Sequence, residues 1–347
     1  MGGNALAPYG AKRVSKAEAE TQLGILRKFL LSASGSTELP FRLEPIKAYR
    51  EKADFGDLDI LVSIKPGQVM ELLSNTPLAG QPSIRNGSVV SVGMPLDGGG
   101  LLQVDLISAP EHEFDFSAGY FAWNDLGNLV GRIAHKMGIK LGHDGLWLPM
   151  RDGTNLFDEI LLTRDFSEAL DFLGFDSERW RAGFDNVEQI YDYVSKGSRF
   201  NPDIYNLDNR NHTARVRDKK RPVYTGFLTW MDERPELKRF DWNPDKSAYL
   251  PAIFEGFPQS KGDHSESVAR LQKAADTKAK FNGEVVSAQT GLSGKDLGSF
   301  IAEFKKSRAE FMESILSKSD DEIGREIRSF HHRRKTLTDD ADTSPGM

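Results

Sequence analysis

The sequence predicts an α+β protein, in which a mixed sheet with flanking helices is followed by a mainly α-helical C-terminal region. Short aliphatic runs bounded by turn residues recur between about residues 41 and 107, which is typical of strands. From Phe157 onward, apolar residues recur mostly at helical spacing. The sequence contains no run of about eighteen apolar residues, so we expect no membrane partner.

Composition limits the function further. The chain has 347 residues, which indicates two or three domains, and its net charge of −6 argues against a strongly basic nucleic-acid coat. Cysteine is absent, which excludes disulfides, thiolate zinc sites and a cysteine nucleophile. A chain without cysteine fits the reducing cytoplasm, which is the expected location.

The first 35 residues are predicted to form an N-terminal arm and one helix. Residues 1–14 have the composition of a loose arm. Ser15 and Glu18 match a capping box, and Leu23, Leu26 and Leu30 follow at helical spacing. We therefore expect a helix that starts at the capping box and ends near residue 34.

Two acids lie one residue apart in a predicted strand, Phe55-Gly56-Asp57-Leu58-Asp59-Ile60-Leu61-Val62. Side chains of a strand alternate between faces, so Asp57 and Asp59 project from the same face. Two carboxylates repel each other there unless a cation lies between them. Oxygen ligands suit Mg²⁺, which leaves further positions for phosphate and water. The pattern therefore indicates phosphoryl or nucleotidyl transfer.

A third acid, Asp105, lies inside the apolar strand Leu101–Ile107. The preceding segment, Ser88–Met94, also has a strand pattern, and Pro, Asp and Gly residues join the two, which predicts a hairpin. If this hairpin pairs with the strand of Asp57 and Asp59, three carboxylates meet. That is enough for two Mg²⁺ ions, or Mn²⁺ in their place, roughly 3.5–4 Å apart.

A solvated strand edge is the alternative interpretation of these acids. However, Asp59 is followed by Ile60-Leu61-Val62, and Asp105 is flanked by Val104 and Leu106. Acids in such apolar runs are costly to bury unless they are paired or bind a metal. The metal interpretation is therefore favoured, more strongly for Asp57 and Asp59 than for Asp105.

Polar side chains also follow one face of a predicted helix. Asn124 or Asp125 is expected to cap a helix that runs to about Met137. Asp125, Asn128 and Arg132 share one of its faces, where they would contact a base, a sugar or a phosphate. An exposed helix face explains the spacing equally well.

A basic cluster lies in the second half of the chain and would suit a phosphate backbone. A solvated charged surface is the alternative. The cluster consists of Arg215, Arg217, Lys219, Lys220 and Arg221.

The segments Gly56–Leu61 and Val104–Leu106 resemble the polymerase-β-like nucleotidyltransferase superfamily. The stretch from Tyr120-Phe121 through Asn128, Arg132 and Gly138 to Gly145-Leu146-Trp147 is similar to the nucleotide-binding region of family X DNA polymerases. Phe166–Gly174 resembles the helix that follows in that family. The resemblance covers about residues 40–180.

The resemblance implies an enzyme in which Asp57, Asp59 and Asp105 are catalytic metal ligands. Asp57 and Asp59 would bind both metals, and Asp105 would help the second metal to activate the attacking 3′-hydroxyl. It also implies that Tyr120, Phe121, Asp125, Asn128 and Arg132 bind the incoming nucleotide. The family's Gly-Ser pair before the two acids is replaced here by Lys47-Ala48. Lys47, Arg50 and Lys52 are expected to supply positive charge instead. The chain resembles a compact, divergent member, of the kind that phages carry.

The sequence pattern and, for about residues 40–180, the resemblance together predict an organisation. An N-terminal arm and helix (1–35) would precede a palm-like catalytic domain (36–118) of the nucleotidyltransferase type. A thumb-like nucleotide-binding subdomain (119–180), a helical domain (181–335) and a disordered tail (336–347) would follow.

The expected partners are a nucleoside triphosphate and a nucleic acid. A DNA 3′-end is the favoured acceptor, and an RNA 3′-end such as that of tRNA is the alternative. A small molecule or a protein hydroxyl is a further acceptor that the acidic net charge leaves open. A catalytically inactive nucleic-acid-binding scaffold is the opposing hypothesis.

Overall fold

The computed structural model describes residues 5–35 and 38–342, with side chains described as far as Thr336. The protein is 53% helical and 15% strand, which confirms the predicted α+β class. The residues form two compact units. The first contains residues 1–149 and 159–260, and the second contains residues 150–158 and 261–347.

The described residues form ten strands. They are β1 (Val14–Ser15), β2 (Leu43–Pro45), β3 (Asp54–Phe55), β4 (Asp57–Val62), β5 (Ser83–Asn86), β6 (Val89–Pro95), β7 (Leu101–Ser108), β8 (Lys140–Leu141), β9 (Leu146–Asp152) and β10 (Asn155–Thr163). They form a two-stranded sheet of β1 and β3, a three-stranded sheet in the order β10-β9-β8, and a five-stranded sheet in the order β2-β4-β7-β6-β5.

The described residues also form fifteen α-helices and four short 3₁₀ helices. The α-helices are α1 (Lys16–Ala33), α2 (Pro66–Ser74), α3 (Glu111–Phe121), α4 (Leu126–Lys136), α5 (Phe166–Leu173), α6 (Ser177–Ala182), α7 (Val187–Ser195), α8 (His212–Asp218), α9 (Pro222–Asp232), α10 (Leu250–Gly256), α11 (Ser260–Lys280), α12 (Gly283–Thr290), α13 (Gly294–Lys306), α14 (Phe311–Leu316) and α15 (Asp320–Asp342). The 3₁₀ helices are Ala7–Tyr9, Pro202–Tyr205, Leu207–Asn209 and Lys246–Tyr249.

The five-stranded sheet contains the predicted hairpin as β6 and β7, with Pro95 opposite Leu101. Strand β4 pairs with β7 in parallel, whereas the other pairs in this sheet are antiparallel. The hairpin therefore lies beside the strand that carries Asp57 and Asp59, as the three-acid prediction requires.

Helices cover both faces of this sheet. Ile60 and Leu106 belong to a core that also contains Leu26 of α1 and Leu73 of α2. Leu61 and Ile107 belong to a second core, with Phe114 and Phe121 of α3. Because side chains alternate along a strand, the residues two positions before Leu61 and Ile107 lie on the α3 face. Those residues are Asp59 and Asp105.

The predicted capping box of α1 is confirmed. The amide of Glu18 donates to the Ser15 hydroxyl at 3.3 Å, and the Glu18 carboxylate accepts from the Ser15 amide at 2.9 Å. The segment before this helix differs from the predicted loose arm. Leu6 is fully buried, and the Lys12 amide donates to the Leu101 carbonyl at 2.9 Å. Residues 5–14 are therefore attached to the sheet, while residues 1–4 of the predicted arm lie outside the described part.

The second unit has a core of aromatic and aliphatic side chains from α12 to α15, including Phe300, Phe304 and Ile327. Residues 297–318 belong to the region of helical spacing, but they do not form one continuous helix. The chain breaks between α13 and α14, where Glu310 adopts φ 49°. Helix α15 continues to Asp342, so residues 336–342 are helical where disorder was predicted, and residues 343–347 lie outside the described part.

The remaining predicted boundaries, at residues 118 and 180, lie inside the first unit and stay predictions. None of the described helices combines the length and the apolar character that crossing a bilayer requires.

Candidate metal and nucleotide site

Three carboxylates converge on the α3 face of the five-stranded sheet. Asp59 pairs directly with Asp105 in the parallel register of β4 and β7, and Asp57 lies two residues before Asp59 on the same face. Each carboxylate offers one oxygen, and these oxygens lie within 4.8 Å of one another. The strands thus bring together the three acids that the sequence singled out.

The acids occupy a partly dehydrated environment. Asp105 is fully buried, and Asp57 and Asp59 are half-buried. Burial raises the pKa of Asp59 to about 6, and the neighbouring charges of Asp57 and Asp105 act in the same direction. Burial also raises the pKa of Asp105, and repulsion from Asp57 adds to the effect, while hydrogen bonds from Ser91 and Gln103 oppose it. The site therefore concentrates negative charge where water screens it poorly.

Oxygen-only donors of this kind suit a hard divalent cation such as Mg²⁺ or Mn²⁺ better than zinc or copper. Burial raises the pKa values of Asp59 and Asp105 most, and a cation among the three acids would offset the mutual repulsion that adds to this effect. The residues present therefore fit a metal ion, and the group as a whole is a candidate metal site.

A cleft of about 200 Å³ opens beside the acids. Its lining combines carboxylates, two lysines and apolar side chains. The residues that line it are Pro45, Ile46, Lys47, Ala48, Lys52, Phe55, Asp57, Leu58, Asp59, Ile107, Phe121, Asn124 and Asp125. Several of the residues predicted to bind a nucleotide, namely Lys47, Lys52, Phe121 and Asp125, therefore share one cleft with two of the acids.

Lysine side chains supply positive charge in this cleft. Lys52 is half-buried, and its ammonium group lies 4.4 Å from the centre of the Phe55 ring. Burial lowers the pKa of Lys52, while Asp57 and Asp59 favour its charged form. Lys47 is exposed at the same cleft. Both lysines therefore share the cleft with Asp57 and Asp59.

Arg50, the third cation predicted to bind nucleotide, is held elsewhere. Its guanidinium pairs with Asp185 at 2.6 Å and donates to the Ala182 carbonyl. Its amide donates to the Phe184 carbonyl at 2.9 Å. Arg50 therefore ties the loop before β3 to residues 182–185, and it is not among the cleft-lining residues. Its contact with a nucleotide stays a prediction.

The rim of the cleft contains an unusual backbone turn. Trp123 and Asn124 both adopt φ 62°, a left-handed conformation that is rare for non-glycine residues. The Trp123 amide donates to the Lys47 carbonyl at 2.7 Å, and its ring packs edge-on against Phe184 at 5.6 Å. The buried Oδ1 of Asn124 has no hydrogen-bond partner among the described residues. The turn therefore joins the segment before α4 to the loop that carries Lys47.

The predicted polar face of α4 splits into different environments. Asp125 occupies the N-cap position, but its side chain makes no capping bond and instead pairs with Arg221 at 2.5 Å. The predicted start of the helix is therefore confirmed, but the side-chain capping bond is not formed. Arg132 is buried, and both of its hydrogen-bonding nitrogens donate to the Ile204 carbonyl, at 3.1 and 2.9 Å. The structure thus gives Arg132 a packing contact rather than a place in the cleft.

Two further predicted residues are not among those that line the cleft. Asn128 is half-buried, and its Nδ2 has no hydrogen-bond partner among the described residues. Tyr120 is also half-buried, and burial raises the pKa of its phenol, while Arg221 and Arg217 oppose this. Their role in binding a nucleotide stays a prediction.

The basic cluster reaches the cleft through one ion pair. Arg221 bonds Asp125, which lines the cleft. Lys219 and Lys220 are exposed, whereas Arg217 pairs with the buried Asp218 at 3.2 Å, and Arg215 lies 3.9 Å from Asp208. The segment from residue 215 to residue 221 therefore leads from the protein surface to the cleft.

Sequence reasoning missed two residues that contact Asp105. Ser91 lies opposite it on β6, and Gln103 lies two residues before it on the same face of β7. The spacing of Gln103 was visible in the sequence as a polar residue two positions from the acid. The partner position of Ser91 depends on the hairpin register.

No protein-family model matches this sequence, and no curated protein matches it at a significant level. The function is therefore inferred from the site itself.

Proposed function

We propose that this protein is a metal-dependent nucleotidyltransferase. It would transfer a nucleoside monophosphate from a nucleoside triphosphate to a hydroxyl group, with a DNA 3′-end as the favoured acceptor. The observation that carries the proposal is the convergence of Asp57, Asp59 and Asp105, with oxygens within 4.8 Å, beside a cleft that also contains two lysines. This combination suits a triphosphate that is bound together with a divalent cation.

Asp57, Asp59 and Asp105 would hold Mg²⁺, with Mn²⁺ as a substitute. When bound, such an ion neutralises phosphate charge and lowers the pKa of a coordinated hydroxyl group. Three carboxylates alone would repel a triphosphate, so the charge of the site itself requires a cation before an anionic substrate can bind.

The reaction would be an in-line displacement. A bond forms between the acceptor oxygen and the α-phosphorus, and the bond from the α-phosphorus to the bridging oxygen breaks. The electron pair of the broken bond stays on the pyrophosphate, and the hydroxyl proton is lost to water. Lys47 and Lys52 line the cleft and would compensate the charge of the phosphate chain. Positioning and charge compensation would supply most of the rate enhancement.

A nucleic-acid acceptor is supported by the basic segment that ends at the cleft. Lys219 and Lys220 are exposed, and Arg221 contacts Asp125 in the cleft lining. Exposed cations beside the site would attract a phosphate backbone despite the acidic net charge of the chain. This feature suits DNA and RNA alike, so an RNA 3′-end is the second candidate acceptor.

Incubation of the purified protein with α-labelled nucleoside triphosphates tests the proposal. Mg²⁺ or Mn²⁺ would be supplied, with primed DNA, tRNA or no acceptor in parallel reactions. We expect label transfer that is abolished by Asp57→Asn, Asp59→Asn and Asp105→Asn. Asp97→Asn is the matched control, because Asp97 is exposed in the turn between β6 and β7.

Two outcomes would contradict the proposal. Full activity of a folded Asp57→Asn variant would refute the assignment of the acids. No transfer to any acceptor, together with no calorimetric signal for Mg²⁺ and nucleotide, would support the inactive scaffold instead.

A further inference from the structure

One buried side chain connects the acid group to the N-terminal segment. Gln103 is 1% exposed, and its Oε1 accepts a hydrogen bond from the Leu6 amide at 2.9 Å. Its Nε2 donates to both oxygens of the Asp105 carboxylate, at 3.0 and 3.2 Å. Leu6, Gln103 and Asp105 therefore form a continuous buried chain of hydrogen bonds.

The orientation of the Gln103 side-chain amide follows from the donors and acceptors on either side of it. The side-chain amide of Gln103 can present either its oxygen or its nitrogen on a given side. A backbone N–H can only donate, so the Leu6 amide requires the oxygen of Gln103 on its side. The NH₂ group must then face Asp105, which as a carboxylate can only accept. The Leu6 amide thus determines which group Gln103 offers to Asp105.

The segment that carries Leu6 is fixed independently of Gln103. Leu6 is fully buried, the Lys12 amide donates to the Leu101 carbonyl at 2.9 Å, and the Leu101 amide donates to the Gly10 carbonyl at 3.2 Å. Leu101 begins the strand that also carries Gln103 and Asp105. The position of the Leu6 amide is therefore set by the sheet and can serve as a reference point for Gln103.

We propose that Gln103 is a positioning residue of the metal site and that the Leu6 amide holds it in the productive orientation. This inference rests on the proposed function only in requiring that the acids bind a divalent cation. Each carboxylate oxygen has two lone pairs, so a donor on one side fixes Asp105 while leaving lone pairs for a cation. Hydrogen bonds that orient a metal ligand commonly change metal affinity about 10- to 100-fold when they are removed.

The first test is Gln103→Met, which fills a similar volume without a hydrogen-bond donor. We expect Mn²⁺ to bind about 10- to 100-fold more weakly than to the unaltered protein, as measured by calorimetry and by the electron paramagnetic resonance of bound Mn²⁺. Circular dichroism and thermal melting establish that the variant is folded. If Gln103→Met does not fold, Gln103→Leu is the second variant.

A matched pair at residue 6 tests the role of the amide. Leu6→Ala and Leu6→Pro both remove the buried side chain, but only Leu6→Pro also removes the N–H. In the presence of Gln103, we expect Leu6→Pro to bind Mn²⁺ more weakly than Leu6→Ala. In the Gln103→Met background, the two variants should bind Mn²⁺ equally, because the amide then has no acceptor through which to act.

The outcomes separate this inference from the proposed function. An unchanged Mn²⁺ affinity in folded Gln103→Met, or an equal difference between the residue 6 variants in both backgrounds, would overturn the inference alone. Absence of Mn²⁺ binding to the unaltered protein would overturn both proposals. Normal Mn²⁺ binding without nucleotidyl transfer would overturn the proposed function and leave the positioning role to be decided by the variants.

Discussion

Asp59 and Asp105 lie side by side as directly paired residues of neighbouring parallel strands. Like charges at directly opposed positions of a sheet destabilise it. Here one of the two residues is also fully buried, and the other is half-buried. The pair therefore opposes folding when no cation is bound. This cost can be measured as a change in the free energy of unfolding.

The first prediction concerns the pH dependence of the metal-free protein. The pKa of Asp59 rises from 3.8 to about 6 on folding, so the folded state binds the proton more tightly than the unfolded state. Proton binding by Asp59 therefore stabilises the folded state. This stabilisation is complete below pH 3.8 and is lost as the pH rises through about 6. Asp59→Asn should therefore raise the free energy of unfolding at pH 7 by up to about 3 kcal/mol.

Urea denaturation in EDTA between pH 4 and pH 7 measures this effect, with Asp97→Asn as the control. Added Mg²⁺ should stabilise the unaltered protein increasingly as the pH rises, and Asp59→Asn much less. Parallel stability curves for the two variants would contradict the prediction.

The second prediction concerns Lys52. Its ammonium group lies over Phe55 in the cleft and interacts with Asp57 and Asp59. Lys52→Ala should weaken the binding of a nucleoside triphosphate in the presence of Mg²⁺ by about tenfold, the value of one hydrogen bond to a charged group. Calorimetric titration measures the change. Lys65→Ala is the control, because Lys65 is exposed at the start of α2 and does not line the cleft; equal losses in both variants would exclude a specific role.

The third prediction concerns the basic segment. Lys219→Gln and Lys220→Gln should weaken nucleic-acid binding together, and each should reduce the slope of log affinity against log salt by about one. Fluorescence anisotropy with labelled primed DNA and RNA measures both quantities. The same charge change at two exposed lysines of α11, Lys261 and Lys278, is the control. If the slope of log affinity against log salt changes no more than in this control, the basic segment does not contact the acceptor.

The fourth prediction concerns stability away from the cleft. Asp218 is fully buried and pairs with Arg210, whose side chain is 5% exposed. Asp218→Asn leaves the Arg210 charge buried without its carboxylate, which should lower the free energy of unfolding by about 3–5 kcal/mol. Asp203→Asn breaks an ion pair with Arg239 in which both side chains are more than half exposed, so it should cost about 1 kcal/mol or less. Urea denaturation of both variants measures the two losses in the free energy of unfolding. Equal small losses would show that other groups compensate the buried charge of Arg210.

The group of three acids could be predicted from the sequence because its geometry follows from strand periodicity. The spacing of Asp57 and Asp59 places both on one face, and the turn residues after Met94 predict the hairpin that carries Asp105. The pairing of that hairpin with β4 was a condition of the three-acid prediction that no local pattern could supply, and the structure meets it. The capping box of α1 was likewise local, and it formed as predicted.

The contacts that the sequence did not reveal join residues far apart in the chain. Leu6 contacts Gln103, Asp125 contacts Arg221, and Arg132 donates to the Ile204 carbonyl. Each depends on how whole elements pack, and no local pattern encodes it. A polar residue on an amphipathic helix has the same signature whether it faces a ligand, solvent or a distant carbonyl.

The turn at Trp123 and Asn124 has a consequence for engineering. Each left-handed non-glycine residue costs on the order of 1–3 kcal/mol, and here two occur in succession beside the cleft. A screen for heat resistance would therefore favour glycine at residue 124, whereas Trp123 is buried and its truncation would cost about 3–5 kcal/mol. Such a gain would remove the Asn124 side chain from the lining of the cleft, so thermal robustness and the shape of the cleft are expected to compete in this protein.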